Sequence, residues 1–238
     1  IDGGEYITGI LVGDRGFKEL EDICNTLKKN NCDINEKCGL HVHIGGAHFN
    51  KRFSILAIML GCQLEDELFA MVPKSRHGNN YCRKIKNGFS KTNMLNGVKQ
   101  LGRYVFGNVN QEGEYQKSTG ACYLNRVTNR KTERSKYCDN RYAWLNLVKC
   151  NQAGDNPTIE FRQHGGTITY DKIKNWTLIC MSFVNFIENN QRRIIEGRVT
   201  LKEVIEKSMG KKAPELLKYI NERTIKFSDR VKEELVEV

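Results

Sequence analysis

The sequence predicts an α+β fold: an antiparallel β-sheet with one polar functional face, backed by helices. Three observations predict it. Cys38–Gly45 and Thr158–His164 alternate apolar and polar residues with the period of a strand. Segments 15–30, 52–71 and 171–189 carry apolar residues at helical spacing. No internal repeat or low-complexity tract interrupts this pattern.

Taken in chain order, Gly3–Val12 reads as a short strand running into a turn at Gly13-Asp14. Arg15–Asn30 reads as a helix with Phe17, Leu20, Ile23 and Leu27 on one stripe, and Asp14 can cap it. Cys38–Gly45 is the next strand. Arg52–Met71 is a long apolar helix stopped by Pro73. Pro73–Asn140 is polar, basic and without sustained period, as expected of a binding loop or lid. Arg141–Cys150 and Thr158–His164 read as two strands joined by a turn around Gly154-Asp155-Asn156-Pro157. Asp171–Asn189 follows as an amphipathic helix through Ile173, Trp176, Phe183 and Ile187. Thr200-Leu201-Lys202-Glu203 is a capping box opening a further helix, and Pro214 suits the first turn of another over 213–222.

Composition narrows the class. The chain has 238 residues, 39% hydrophobic and 9% aromatic, which excludes a disordered tail and allows a sizeable core. The longest apolar run, Phe53–Cys62, is about half as long as a membrane-spanning helix needs, so no membrane partner is expected. Nine cysteines, odd in number and with no C-x-x-C pair, suggest free thiols and a cytoplasmic setting. The chain opens at Ile1 with no signal peptide, and we expect a processed product or a piece of a longer protein. The net charge of +10 is uneven. Residues 1–50 hold 5 basic and 8 acidic side chains (−3), residues 51–150 hold 18 and 7 (+11), and residues 151–238 hold 15 and 13 (+2). A focused basic region concentrates anions such as phosphates, carboxylates or nucleic acid.

The chemistry sits on two strands. In Cys38-Gly39-Leu40-His41-Val42-His43-Ile44-Gly45, the apolar Leu40, Val42 and Ile44 share one face, and His41 and His43 share the other. In Thr158-Ile159-Glu160-Phe161-Arg162-Gln163-His164, Ile159 and Phe161 point one way, and Glu160, Arg162 and His164 the other. Set side by side, the polar faces could bind a divalent cation through Glu160 and His41, and phosphate oxygens through Arg162 and His43. A zinc site using Cys38, His41, His43 and His48 is the rival reading, and it leaves Glu160 and Arg162 without a role.

These two strands, CGLHVHIG followed by TIEFRQHGGT, resemble the amidoligase family. Its members are ATP-dependent carboxylate–amine ligases of the glutamine synthetase and glutamate–cysteine ligase superfamily. Pro73-Lys74-Ser75-Arg76 with Asn80-Tyr81-Cys82 and Arg141-Tyr142-Ala143-Trp144-Leu145-Asn146 resemble further family segments, as does Gly4-Glu5, less closely. The resemblance covers roughly residues 3–190. It implies a glutamine synthetase-like catalytic domain over 1–190 that lacks the family's first strand, a basic lid at 73–140 and a helical extension at 191–238.

The resemblance also implies ATP and magnesium as cofactors. His41, Glu160 and Glu5 would bind the metal. Arg162, His43 and Arg76 would be catalytic. Arg76, His164, Asn80 and Tyr81 would bind substrate or nucleotide. The partners would be a small-molecule or peptide carboxylate and an amine donor, joined through an acyl phosphate. The alternative is a degenerate, non-catalytic binding or structural module that holds nucleic acid through the basic 51–150 region. No stacking-aromatic motif accompanies those charges, which favours the ligase.

Overall fold

The structure, a computed structural model, describes residues 4–46, 49–85, 143–151 and 157–236. It is α+β, with a small antiparallel sheet backed by helices. The elements in order are α1 (Gly13–Lys29), β1 (Gly39–Gly45), α2 (Lys51–Ala70), β2 (Leu145–Asn146), β3 (Thr158–Gly165), α3 (Tyr170–Asn189), α4 (Gln191–Glu196), α5 (Leu201–Met209) and α6 (Ala213–Val236).

Helix α2 is the centre of the core. Asn50 caps it by accepting the Phe53 amide at 3.0 Å. Ile55, Leu56, Ile58, Met59, Leu60 and Leu64 then bury almost all round it, because Ile85, Trp144, Leu145 and the later helices cover most of its sides. Gly61 lets the strands pack close here: a Cβ on it would lie 3.1 Å from Leu145 and 3.3 Å from Trp144, so both would have to shift slightly. Phe161 of β3 meets Phe183 of α3 edge to face, with ring centroids 5.3 Å apart, which docks the sheet on α3. Ile194, Val204, Ile205 and Leu216 belong to the same cluster, so the helices after residue 190 share this core.

The sheet order is β1–β3–β2, antiparallel throughout. His43 pairs with Glu160, Val42 with Phe161, and Asn146 with Glu160 on the other side. Beyond Val42 the register slips, because Leu40 pairs with His164. One residue of β1, His41, therefore faces two of β3, Arg162 and Gln163: a β-bulge.

Several expectations are corrected. Residues 4–12 contain no strand. Tyr6, Ile7, Ile10 and Val12 remain exposed, since no described strand pairs with them. The cap residue of α1 is Val12, with no side-chain bond, and Asp14 lies inside the first turn. The expected strand Arg141–Cys150 shrinks to Leu145–Asn146, because Ala143 bridges Arg83 instead and Val148–Asn151 winds into a 3-10 turn. The capping box is half formed. Thr200 accepts the Glu203 amide, while the Glu203 carboxylate turns to Arg193 and Lys207. The last helix runs well past residue 222, to Val236.

Of the expected lid, residues 73–85 are described, with Lys74–Arg76 forming a 3-10 turn. Residues 86–142 lie outside the described residues, as does the turn at 154–156. Among the described residues no helix is long and apolar enough to cross a membrane. The described cysteines, Cys24, Cys32, Cys38, Cys62, Cys82, Cys150 and Cys180, are free thiols.

Candidate functional site

Glu160 stands where all three strands can reach it. Its central strand sets it opposite His43 on one side and Asn146 on the other. Its Oε1 lies 2.6 Å from Arg162 Nη1, 3.3 Å from His41 Nδ1 and 3.7 Å from His43 Nε2. Its Oε2 accepts from Asn146 Nδ2 at 2.5 Å. At 7% exposure, an unpartnered carboxylate would be costly, and these donors offset its desolvation.

Arg162 is held from several directions. Its Nη1 donates to Glu160, its Nε donates to the Tyr81 carbonyl at 3.0 Å, and its backbone N–H donates to Trp144 O at 2.8 Å. Tyr81, ahead of residue 86, thus helps to fix its guanidinium, and Trp144, after residue 142, its backbone.

The two imidazoles are held toward their neutral form. Burial lowers the His41 pKa most, and the charge of Arg162 adds to it, against the opposite pull of Glu160 and Glu5. Burial likewise lowers His43, with Glu160 opposing and Lys149 and Arg162 assisting. Glu5 therefore lies close enough to act on both, from the extended stretch before α1.

Arg76 is buried, at 3% exposure, and its guanidinium is committed to backbone. Nη2 donates to Arg162 O at 2.8 Å and Nε to Gln163 O at 3.3 Å. Those are the two residues of the bulge, so Arg76 clamps it from behind the 3-10 turn. Gly39 makes room for this: a Cβ there would lie 3.2 Å from both Arg76 Nη2 and His41 Nε2.

His164 does not join Glu160 and Arg162 as strict alternation predicts. The bulge adds one residue to β3 and reverses the parity beyond it, so His164 pairs with apolar Leu40 and packs 5.2 Å from the Trp176 ring on the helix side. Burial pushes its pKa down to about 4. Tyr81 takes part through its carbonyl, with its ring 60% exposed. Asn80 is exposed and gives its carbonyl to Arg83 Nε at 3.2 Å.

Among the described residues no group of three or more His, Cys, Asp and Glu side chains is arranged to hold a metal ion. Of the zinc rival's ligands, Cys38 turns its thiol to Asn35 Oδ1, and His48 lies outside the described residues. Sequence reasoning passed over Asn146 and Lys149. The signal for Asn146 was present: an Asn ending a short apolar strand, in register with Glu160.

A family model described as "Putative amidoligase enzyme" matches residues 3–184. No curated protein and no solved structure matches the chain.

Proposed function

We propose a ligase reaction for this chain, which belongs to the family of putative amidoligase enzymes: ATP-dependent joining of a carboxylate to an amine, with an acyl phosphate between. The observation that carries this reading is the convergence of Arg162, His41 and His43 on the single carboxylate of Glu160. It supports a glutamine synthetase-like use of the sheet's polar face.

In this reading the substrate carboxylate attacks the γ-phosphorus of ATP, and the bond to the bridging oxygen breaks to release ADP. The amine then attacks the acyl carbon, expels phosphate and passes its surplus proton to it. The first step brings two anions together and the second expels one, so fixed positive charge is the principal need. Arg162 supplies it, pre-oriented by Tyr81 O and Glu160. His41 and His43, held neutral by burial, are bare of charge until a phosphate arrives and can then donate hydrogen bonds to it.

The donors suit magnesium shared with phosphate rather than a cation caged by protein: one carboxylate, Glu160, beside uncharged imidazoles, with phosphate and water completing the shell. Glu160 would hold it, with His41 and Glu5 nearest. Bound there, it would neutralise charge on the transferring phosphoryl group. Arg76 and Tyr81 act in this reading by holding the bulge and the Arg162 side chain.

The test is ADP release from the full-length protein with paired carboxylates and amines. ADP is expected only when both are present. Arg162→Ala and Glu160→Gln should each lower the rate by about 100-fold or more. Unchanged rates in both variants, or no ADP across a broad panel, would sink the reading.

A further inference from the structure

The sheet's polar face is not the only place built for an anion. A cleft of about 380 Å³ opens beyond the end of β3, between the start of α3 and the flank of α6. That volume falls within the range of small-molecule sites. Lys172 of α3 and Arg223 and Lys226 of α6 line it, with Asp33 the acidic residue in its wall. Among the described residues, no carboxylate forms a salt bridge with any of these three cations. They are close enough to disfavour one another: burial, then Arg223 and Lys226, lower the pKa of Lys172. Arg223 is already set in place, its Nε donating to Met71 O at 3.2 Å and its guanidinium 4.6 Å from the Phe227 ring centre.

A further feature adjoins the same space. Helix α3 begins at the cleft, and its cap residue Thr169 makes no side-chain bond to the first turn, so the positive end of a 20-residue helix faces the cations' side. The three cations against Asp33 leave two positive charges, which match a dianion. Ile34, Ile168 and Phe227 supply an apolar wall for a carbon skeleton.

We propose that this cleft binds an organic phosphate dianion. The phosphate sits among Lys172, Arg223 and Lys226, with the carbon skeleton against Ile34, Ile168 and Phe227. The site is separate from the Glu160 face and does not depend on the ligase reading.

Calorimetric titration of the full chain tests it, with glycerol 3-phosphate, inorganic phosphate and malate as probes. Glycerol 3-phosphate should bind one site per chain, more tightly than inorganic phosphate or malate. Lys172→Gln with Lys226→Gln should weaken it about tenfold or more. The exposed Lys226→Glu, which leaves the core untouched, should weaken it as well, and Arg162→Ala should not. Malate binding as tightly as the phosphate would overturn the phosphate assignment. Equal affinity in wild type and both lysine variants, loss with Arg162→Ala instead, or no binding of any probe would overturn the site.

Discussion

Glu65 Oε1 accepts the indole N–H of Trp144 at 2.7 Å and also the backbone N–H of Ile85. One fully buried carboxylate on α2 thus ties together the residues flanking the 86–142 segment. Arg83 and Ala143 bridge beside it, with Trp144 N–H donating to Arg83 O at 3.0 Å. Because Arg162 hangs from Trp144 O and Tyr81 O, this knot also carries the candidate site.

Glu65→Ala should therefore destabilise the protein well beyond its lost volume, since two buried donors lose their acceptor. We expect about 2–4 kcal/mol, read as a lowered urea midpoint. Glu65→Gln keeps an acceptor oxygen in place and should cost clearly less. Equal losses in the two variants would mean that the carboxylate does not act as this shared acceptor.

Arg76→Lys should fail to replace arginine. The guanidinium spans two successive carbonyls, of Arg162 and Gln163, with two nitrogens, and an ammonium is a point donor that cannot match that fork. We expect a loss of about 2 kcal/mol and faster hydrogen exchange at the Arg162 amide. Wild-type exchange at that amide would show that the bulge holds without the clamp.

The strands and their faces were legible because a half-buried sheet imposes period two, and His41, His43, Glu160 and Arg162 obey it. The bulge was not legible. Arg162-Gln163-His164 continues the alternation without a break, and what interrupts it is Arg76, 86 residues away in sequence. His164 was therefore assigned to the wrong face by a rule that held up to Arg162. The predicted strand at Gly3–Val12 failed for a related reason. Tyr6, Ile7, Ile10 and Val12 have the right local character, but a strand needs a partner, and none of the described strands supplies one. The last helix outran its predicted end because Pro214 lies in its first turn and no glycine or proline follows to stop it. The role of Glu65 was not legible either, since its two donors, of Ile85 and Trp144, lie far along the chain.

Gly39→Ala probes the contact between clamp and site directly. The new methyl would press on Arg76 Nη2 and His41 Nε2 at 3.2 Å, tighter than ordinary contact. Both are ends of side chains that can yield slightly, so the expected cost is about 1 kcal/mol. The His41 ring resonances should shift while those of His77 do not. An undisturbed His41 would place the imidazole elsewhere.

His164 makes stability depend on acid. Burial holds its native pKa near 4 against 6.5 for an open imidazole. Between those values the unfolded chain binds a proton that the folded chain refuses, so stability falls as pH falls through that window and is fully present above it. The contribution lost by pH 4 is about 3 kcal/mol. His164→Phe keeps a ring against Trp176 but cannot titrate. Urea unfolding of both proteins between about pH 7 and pH 4.5 should therefore show wild type losing stability faster than the variant. Parallel curves would mean that His164 takes up its proton in the folded state as readily as in the unfolded one.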